Sequence, residues 1–419
     1  MGAGTFVTPG PASVRALPGR SIDTPLLLAL VALLVFGLAM LFSASWDFSL
    51  GAYGDPMRMF SRQVAWLGLG AVICLLLSRF DYHHWRRLAV PAMALTIVLL
   101  IGVLVWSDIR LGAKRNLCQQ GSCQPSELAK IVSILYLTAW LHAKRQDLQD
   151  ISLGLIPLGV ILGAVGGLIY LQPDLSASAT VFILGGLLFF LAGGDLKQIG
   201  VLLLVAIVAA WLIVQLSDTG RARVDDFIAG IRDPLQASYH VRRSFEAIVN
   251  GGWFGVGLGQ SRSKLTGLPV PPTDSIFAVV AEELGLIGSV GLICLYGVLV
   301  WRGYAIARRA PDMFGTLLAA GLVLWIGFEA LVNMAVMVGL LPFAGNALPF
   351  ISAGGSNLVA TLAAMGILFN VSRQQGLATL MDEEWRSYGA VVDLRGWNRR
   401  RDVPRPSRSQ RARRRLSGR

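Results

Sequence analysis

Charge is scarce in this 419-residue chain. Only 15% of its residues are Asp, Glu, Lys or Arg, while 54% are hydrophobic. That balance excludes a set of ordinary soluble domains, because the apolar residues fall in runs of about 17–26, the length that crosses a hydrocarbon core. Cysteine is scarce too, at four residues. Cys74 and Cys294 lie inside apolar runs and read as packing residues. Cys118 and Cys123 stand in a polar loop as CQQGSC. An oxidising exterior permits a disulfide there. A metal pair would lack further nearby His or Cys ligands, and free thiols are the alternative. No period of 20–50 residues is present, which argues against a solenoid.

What remains is a set of membrane spans. Ten are read at Thr24–Ser45, Gln63–Leu77, Leu88–Trp106, Ser126–His142, Ser152–Leu171, Ser176–Gly193, Gln198–Leu216, Ile276–Trp301, Met313–Leu340 and Gly355–Val371. The expected fold is therefore an all-α integral membrane protein. Residues 1–22 read as an N-terminal tail and 23–372 as the membrane domain, with a large loop over 217–275. Residues 373–419 read as a juxtamembrane segment and an Arg-rich tail.

Loop charges orient the spans. Arg15 and Arg20, then Arg79, Arg86 and Arg87, then Lys144 and Arg145, then Lys197, then Arg302, Arg308 and Arg309 fall on one side if every span crosses once. The positive-inside rule makes that side, with both termini, cytoplasmic. The 217–275 loop then lies outside, and Tyr239–Val249 within it reads as an amphipathic interfacial helix. The net charge of +12 comes mostly from the tail, with eleven arginines between Arg395 and Arg419. Beside ten spans, that tail suits anionic headgroups or a partner better than nucleic acid.

Chemistry must come from the few polar exceptions, since a carboxylate in a bilayer is costly and usually faces a bundle interior or wet cavity. Four clusters fall on the outer side. GAKRNL and QPSELAK supply Arg115, Glu127 and Lys130. Ser126 reads as the cap of its helix, and Glu127 and Lys130 share one face and can neutralise each other. LQPD supplies Asp174, a functional group or simply the cap of the sixth span. Gly251–Gly288 carries Lys264, puts Asp274 at the mouth of the eighth span and places Glu282 and Glu283 two to three turns deeper. On an ideal helix Glu282 lies about 80° from Asp274 and Glu283 about 180°, so Glu282 is the cavity candidate of the two, with buried polar packing the alternative for both. Leu341–Asn357 is a Pro/Gly-rich re-entrant or loop segment that includes Ser356. Glu329 and Asn333, one turn apart in the ninth span, read as packing.

In order, the motifs QPSELAK, LQPD, GLGQSRSKL with TDSIFAVVAEELGLIG, and LPFISAGGS resemble the SEDS family of bacterial shape, elongation, division and sporulation proteins. The GLGQSRSKL segment is closer to the FtsW branch than to the RodA branch. The resemblance covers roughly Thr24–Arg373. It implies a peptidoglycan glycosyltransferase that polymerises lipid II at the outer face of the bacterial cytoplasmic membrane, beside a class B penicillin-binding transpeptidase and other divisome membrane proteins. The family's essential aspartate falls on Asp274, the implied general base. Its other motif residues fall on Arg115, Glu127, Lys130, Asp174, Glu282, Glu283 and Ser356, and Lys264 and Arg115 are the preferred cations for the leaving pyrophosphate, ahead of Arg242 and Arg243. A divalent ion such as Mg or Mn bridging phosphates and carboxylates fits hard-cation chemistry, without any dedicated metal motif. Departures are Pro272 where the family has His, Ser275 for an aromatic, Ala353 for Tyr, Asn357 for Ser, and Tyr239-His240 at a Gln-rich position. A lipid II flippase and a non-catalytic division scaffold are the competing functions.

Overall fold

The structure, a computed structural model, describes residues 22–106 and 124–391. All regular elements among them are helical. They are α1 (Thr24–Tyr53), α2 (Arg58–Arg79), α3 (His83–Trp106), α4 (Pro125–Ala143), α5 (Ile156–Tyr170), entered through a π-helical turn at Ile151–Leu155, and α6 (Leu175–Leu191). Then come α7 (Leu196–Leu216), α8 (Asp218–Arg232), α9 (Tyr239–Gly251), α10 (Ile276–Arg309), α11 (Met313–Met337) and α12 (Gly355–Val391). Residues to Gln375 make one compact unit and those from Gly376 another. The residues that line the cavity described below all lie in the first.

Seven of the described helices are long and apolar enough to cross a membrane, and α6 and the Leu196–Leu212 part of α7 are shorter apolar helices. The protein is an all-α, multi-pass membrane protein. Ten of its helices overlap the ten spans read from the sequence, but the ends differ. The second span, Gln63–Leu77 by hydropathy, is a helix over Arg58–Arg79, and the first runs on to Tyr53. Apolar length marks what sits in hydrocarbon, whereas backbone hydrogen bonding sets where a helix stops. The expected Tyr239–Val249 helix is present as α9, with Val241, Ser244 and Ala247 on its buried side. Helix α8 was not foreseen. Its sequence is too polar to register as a span, and it starts where the Ser217 side chain accepts the Gly220 N–H at 3.2 Å.

Helix α11 and the Gly355–Gln375 part of α12 are mostly buried, while α2 is mostly exposed. Helix α10 packs on α11, α1 and α9, and α4 packs on α3, α11 and α6. Acidic caps fix three helix starts: Asp23 accepts the Leu26 N–H at 3.0 Å, Asp174 the Ala177 N–H at 3.2 Å and Asp312 the Gly315 N–H at 3.2 Å. Asp23 is also paired with Arg302, which ties the start of α1 to α10.

Helix α10 is broken at Gly285 (φ 68°, ψ −166°), and the glycine-rich segment after α9 repairs the break. In an unbroken helix the N–H groups of residues 286 and 287 would bond to the carbonyls of Glu282 and Glu283. Here they bond instead to the carbonyls of Gly252 (2.9 Å) and Trp253 (3.2 Å). The two released carbonyls accept the N–H groups of Val256 (3.0 Å) and Gly257 (3.0 Å). Four backbone groups that hydrocarbon could not satisfy are thus partnered within the protein. The exchange needs near backbone-to-backbone contact. A Cβ on Gly255, whose φ is +80°, would stand 2.2 Å from the Glu283 carbonyl oxygen.

A Gly255→Ala substitution should therefore lower the unfolding midpoint of the detergent-solubilised protein by more than about 5 °C, because both backbone strain and steric overlap are involved. Gly297→Ala, where the added methyl meets nothing within 4 Å, should leave it within about 1 °C or raise it slightly. Equal midpoints for the two variants would contradict the splice.

Candidate functional site

Asp274 sits in the short link before α10, half-buried. Its backbone is sewn to the irregular segment between α11 and α12. The Pro272 carbonyl accepts the Ala353 N–H at 2.8 Å, and the Thr273 carbonyl accepts the Ser352 hydroxyl at 2.7 Å. The Asp274 carbonyl accepts the Asn333 side-chain amide at 3.0 Å, and Asn333 also donates to the Asn346 carbonyl. Two non-glycine residues in these segments hold positive φ, Val270 at 45° and Phe350 at 69°. Such conformations cost about 1–3 kcal/mol each and persist only where surroundings over-determine them. The position of Asp274 is built, not left to a loop.

The carboxylate lines a cavity of about 740 Å³. Lys130, Glu127, Glu329 and Asn357 make a cluster in its wall, all buried. The Lys130 ammonium donates to Glu127 (2.8–2.9 Å) and to Glu329. The Asn357 amide donates to the same two carboxylates, at 2.9 Å and 3.3 Å. Elsewhere on the wall Asp174 uses both oxygens. One caps α6 and accepts the Ser176 hydroxyl at 3.0 Å. The other accepts the Gln124 amide at 2.9 Å and, at 3.5 Å, the Ser126 hydroxyl. Ser126 therefore does not cap α4. Gln124 holds the cap position without a side-chain bond, and Pro125, which brings no N–H, opens the helix.

Ser356 also lines the cavity. Lys264, Glu282 and Glu283 do not, and the expectation that Glu282 faces the cavity is corrected here. Glu282 accepts the Ser261 hydroxyl and the N–H groups of Arg262 (3.1 Å) and Ser263 (3.3 Å), so it organises the loop after α9. Lys264 is buried and donates to Glu283 (3.2 Å), to the Ser43 hydroxyl (3.1 Å) and to the carbonyls of Ser43 (3.2 Å) and Gly259 (3.0 Å). This second polar knot ties α1, α10 and the loop together. A helical-wheel angle cannot foresee it, because it takes no account of the segment folded against that face. Arg243 is paired with Glu246 at 2.6 Å and lies off the cavity wall. Arg115, Cys118 and Cys123 lie outside the described residues.

Five residues gain a place that the sequence reading did not give them. Glu329 and Asn333, read as packing, complete the Lys130 cluster and hold the Asp274 backbone. Asn357 bridges two carboxylates. Arg223 and His240, from α8 and α9, line the cavity. For Glu329 the signal was present, since a carboxylate in mid-span is itself a reason to suspect a buried polar partner. The His240 ring stacks on Phe343 with centroids 4.2 Å apart. Burial first, and the Arg223 guanidinium second, hold its pKa below the usual histidine value. Among the described residues no three His, Cys, Asp or Glu side chains converge closely enough to hold a metal.

Removing the shared cation tests the cluster. Lys130→Met should cost about 3–5 kcal/mol of stability by leaving two buried carboxylates uncompensated. Adding Glu329→Gln should recover part of the loss in thermal unfolding of the purified protein. An unchanged midpoint for the single variant would show that the three charges are not coupled.

Comparisons with known proteins agree with this architecture. The family model for the FtsW/RodA/SpoVE cell cycle proteins matches residues 24–376. The probable peptidoglycan glycosyltransferase FtsW of Geobacter metallireducens is 37% identical over 353 residues, covering 84% of this chain and 94% of that protein. The stage V sporulation protein E of Bacillus subtilis is 34% identical over 357 residues, covering 84% and 97%. Among solved structures, a chain from work described as "Structural coordination of polymerization and crosslinking by a peptidoglycan synthase complex" superposes with a TM-score of 0.71 at 29% identity, covering 85% of this chain and 98% of that one. The rod shape determining protein RodA of Thermus thermophilus superposes with a TM-score of 0.64 at 28% identity, with the same coverage. With its bundle of apolar helices, its Asp274 cavity and a match that runs through most of this chain and nearly all of its relatives, the chain belongs to the FtsW/RodA/SpoVE family of cell cycle proteins.

Proposed function

We propose that this protein is a peptidoglycan glycosyltransferase of cell division, which polymerises lipid II into glycan strands at the outer face of the bacterial cytoplasmic membrane. One observation carries the reading: Asp274 places its carboxylate at the wall of a cavity large enough for sugar rings, on a backbone fixed where the carbonyls of Pro272, Thr273 and Asp274 accept from Ala353, Ser352 and Asn333. The names of the FtsW relatives support the same activity and the division branch. The loop charges support cytoplasmic termini and a cavity that opens outward.

In this reaction the acceptor's sugar hydroxyl gives its proton to Asp274 as its oxygen bonds to the anomeric carbon of the donor chain. The bond from that carbon to the phosphate oxygen breaks, and the electron pair leaves with the polyprenyl pyrophosphate. Attack opposite the leaving group inverts the anomeric centre. A sugar hydroxyl is a weak nucleophile at neutral pH, and a positioned base contributes roughly 10²–10⁴-fold. Asp174, Glu127, Lys130 and Ser356 are the groups on the wall that position the sugars. Glu282, and Lys264 paired with Glu283, act on the reaction only by holding the loop that leads to Asp274. The partner is a class B penicillin-binding transpeptidase among other divisome membrane proteins, a reading supported by the solved synthase complex that the fold resembles.

The test is polymerisation of labelled lipid II by the purified protein with its transpeptidase. Asp274→Asn should lose about 10²–10⁴-fold in rate while keeping its unfolding midpoint and its partner. Equal product lengths and rates from both proteins would remove Asp274 as the base. Lipid II movement across vesicles without polymer would favour a flippase, and an intact complex with neither activity would favour a scaffold.

A further inference from the structure

Helix α2 is mostly exposed, and its buried residues, Met59, Gln63, Gly70, Cys74 and Ser78, make one narrow seam. Gln63 stands in its second turn and is 5% exposed. A buried amide is costly unless it is hydrogen-bonded. Gln63 donates through Nε2 to the Ser352 carbonyl at 3.1 Å, across 289 residues of sequence. Amide side chains in membrane spans commonly bond one helix to another. This one bonds a helix to the turn that precedes α12.

Ser352 passes that contact on. Its hydroxyl accepts the Leu348 N–H and donates to the Thr273 carbonyl, both at 2.7 Å. Two further helices grip the same turn. The Tyr296 hydroxyl of α10 donates to the Pro349 carbonyl. Gly37 of α1 lies so close that a Cβ there would overlap the Phe350 carbonyl oxygen.

The consequence for Asp274 follows from peptide planarity. A residue has two soft dihedrals, so its Cα–Cβ direction is set once both flanking peptide planes are fixed. The plane before Asp274 contains the Thr273 carbonyl, held by Ser352. The plane after it contains the Asp274 carbonyl, held by Asn333 at 3.0 Å. Gln63 therefore stands two hydrogen bonds from the first of the planes that aim the carboxylate. Neither Gln63 nor Ser352 lines the cavity, so their influence on a substrate runs through that plane.

Building on the proposed function, we infer that Gln63 is a positioning residue for the reaction, which acts through Ser352 to set the angle at which Asp274 meets the acceptor hydroxyl. Helix α2, which brings no residue to the cavity wall, takes part in the chemistry by this one amide.

Gln63→Met keeps the length and bulk of the side chain and removes the donor. In polymerisation of labelled lipid II by the protein with its transpeptidase, it should lower kcat about 10- to 100-fold, the loss expected of a displacement approaching 1 Å. KM for lipid II should stay within about twofold, because the groups on the wall are untouched. Gln198→Met removes an equivalent buried bond far from the cavity, from the Gln198 amide to the Gln149 carbonyl at 2.7 Å, and should leave kcat within about twofold. Added to Asp274→Asn, Gln63→Met should lower the residual rate by less than about twofold, since residues that act as a unit are not additive. Ser352→Ala, which cuts the next bond in the chain, should show the same kcat loss and the same non-additivity, and it provides the answer should Gln63→Met fail to fold. Hydrogen–deuterium exchange at the Ala353 amide, which donates to the Pro272 carbonyl, should speed up in Gln63→Met and not in Gln198→Met. Wild-type kcat or wild-type exchange in folded Gln63→Met, an equal kcat loss in Gln198→Met, or a full further loss on top of Asp274→Asn would overturn the assignment. Exchange needs no turnover, and wild-type rates in Asp274→Asn would defeat the general base alone, so the two readings fail separately.

Discussion

A backbone group within a bilayer must find its partner inside the protein, and in this chain that constraint is met most visibly at Gly285. The break there would strand two N–H groups and two carbonyls. The Gly252–Gly257 segment takes up all four. The same segment leads, through the loop that Glu282 organises and Lys264 anchors, to Thr273 and Asp274. The chemistry-bearing carboxylate thus inherits its position from a repair of backbone hydrogen bonding. The glycines of this segment serve close approach between two main chains.

The second constraint is electrostatic. Taking two charges out of water costs several kcal/mol per ion unless geometry and extra hydrogen bonds compensate. Two separate knots meet that demand, Lys130 with Glu127, Glu329 and Asn357, and Lys264 with Glu283 and Ser43. They are chemically alike, yet only the first opens onto the cavity. Buried ion pairs in this membrane domain therefore do not mark the site by themselves. What separates them is contact with the space that a substrate would fill.

Rigidity and polarity combine at Asp274. Its loop and the segment between α11 and α12 brace one another through Ala353, Ser352 and Asn333, with backbone strain at Val270 and Phe350. Arg223 of α8 and His240 of α9 line the same cavity beside Phe343.

The sequence by itself determined the helical class, the ten apolar spans, the amphipathic α9 and the family motifs, because hydropathy and local pattern act over a few turns. It also marked Asp274, Glu127, Lys130, Asp174 and Ser356, which the fold brings to one cavity. Tertiary structure alone decided the rest. Glu329 joins Lys130 from 199 residues away, and Asn333 reaches the Asp274 carbonyl across 59. Lys264 and Glu283, as polar and as close to the motif as any, are turned into a structural pair by Ser43 on a helix 221 residues distant from Lys264. Polar α8 carries no membrane signal, yet it supplies Arg223 to the cavity wall. Which charges face a ligand depends on what packs against each helix face, and a side chain's partner across the bundle leaves no trace in its own neighbourhood of sequence.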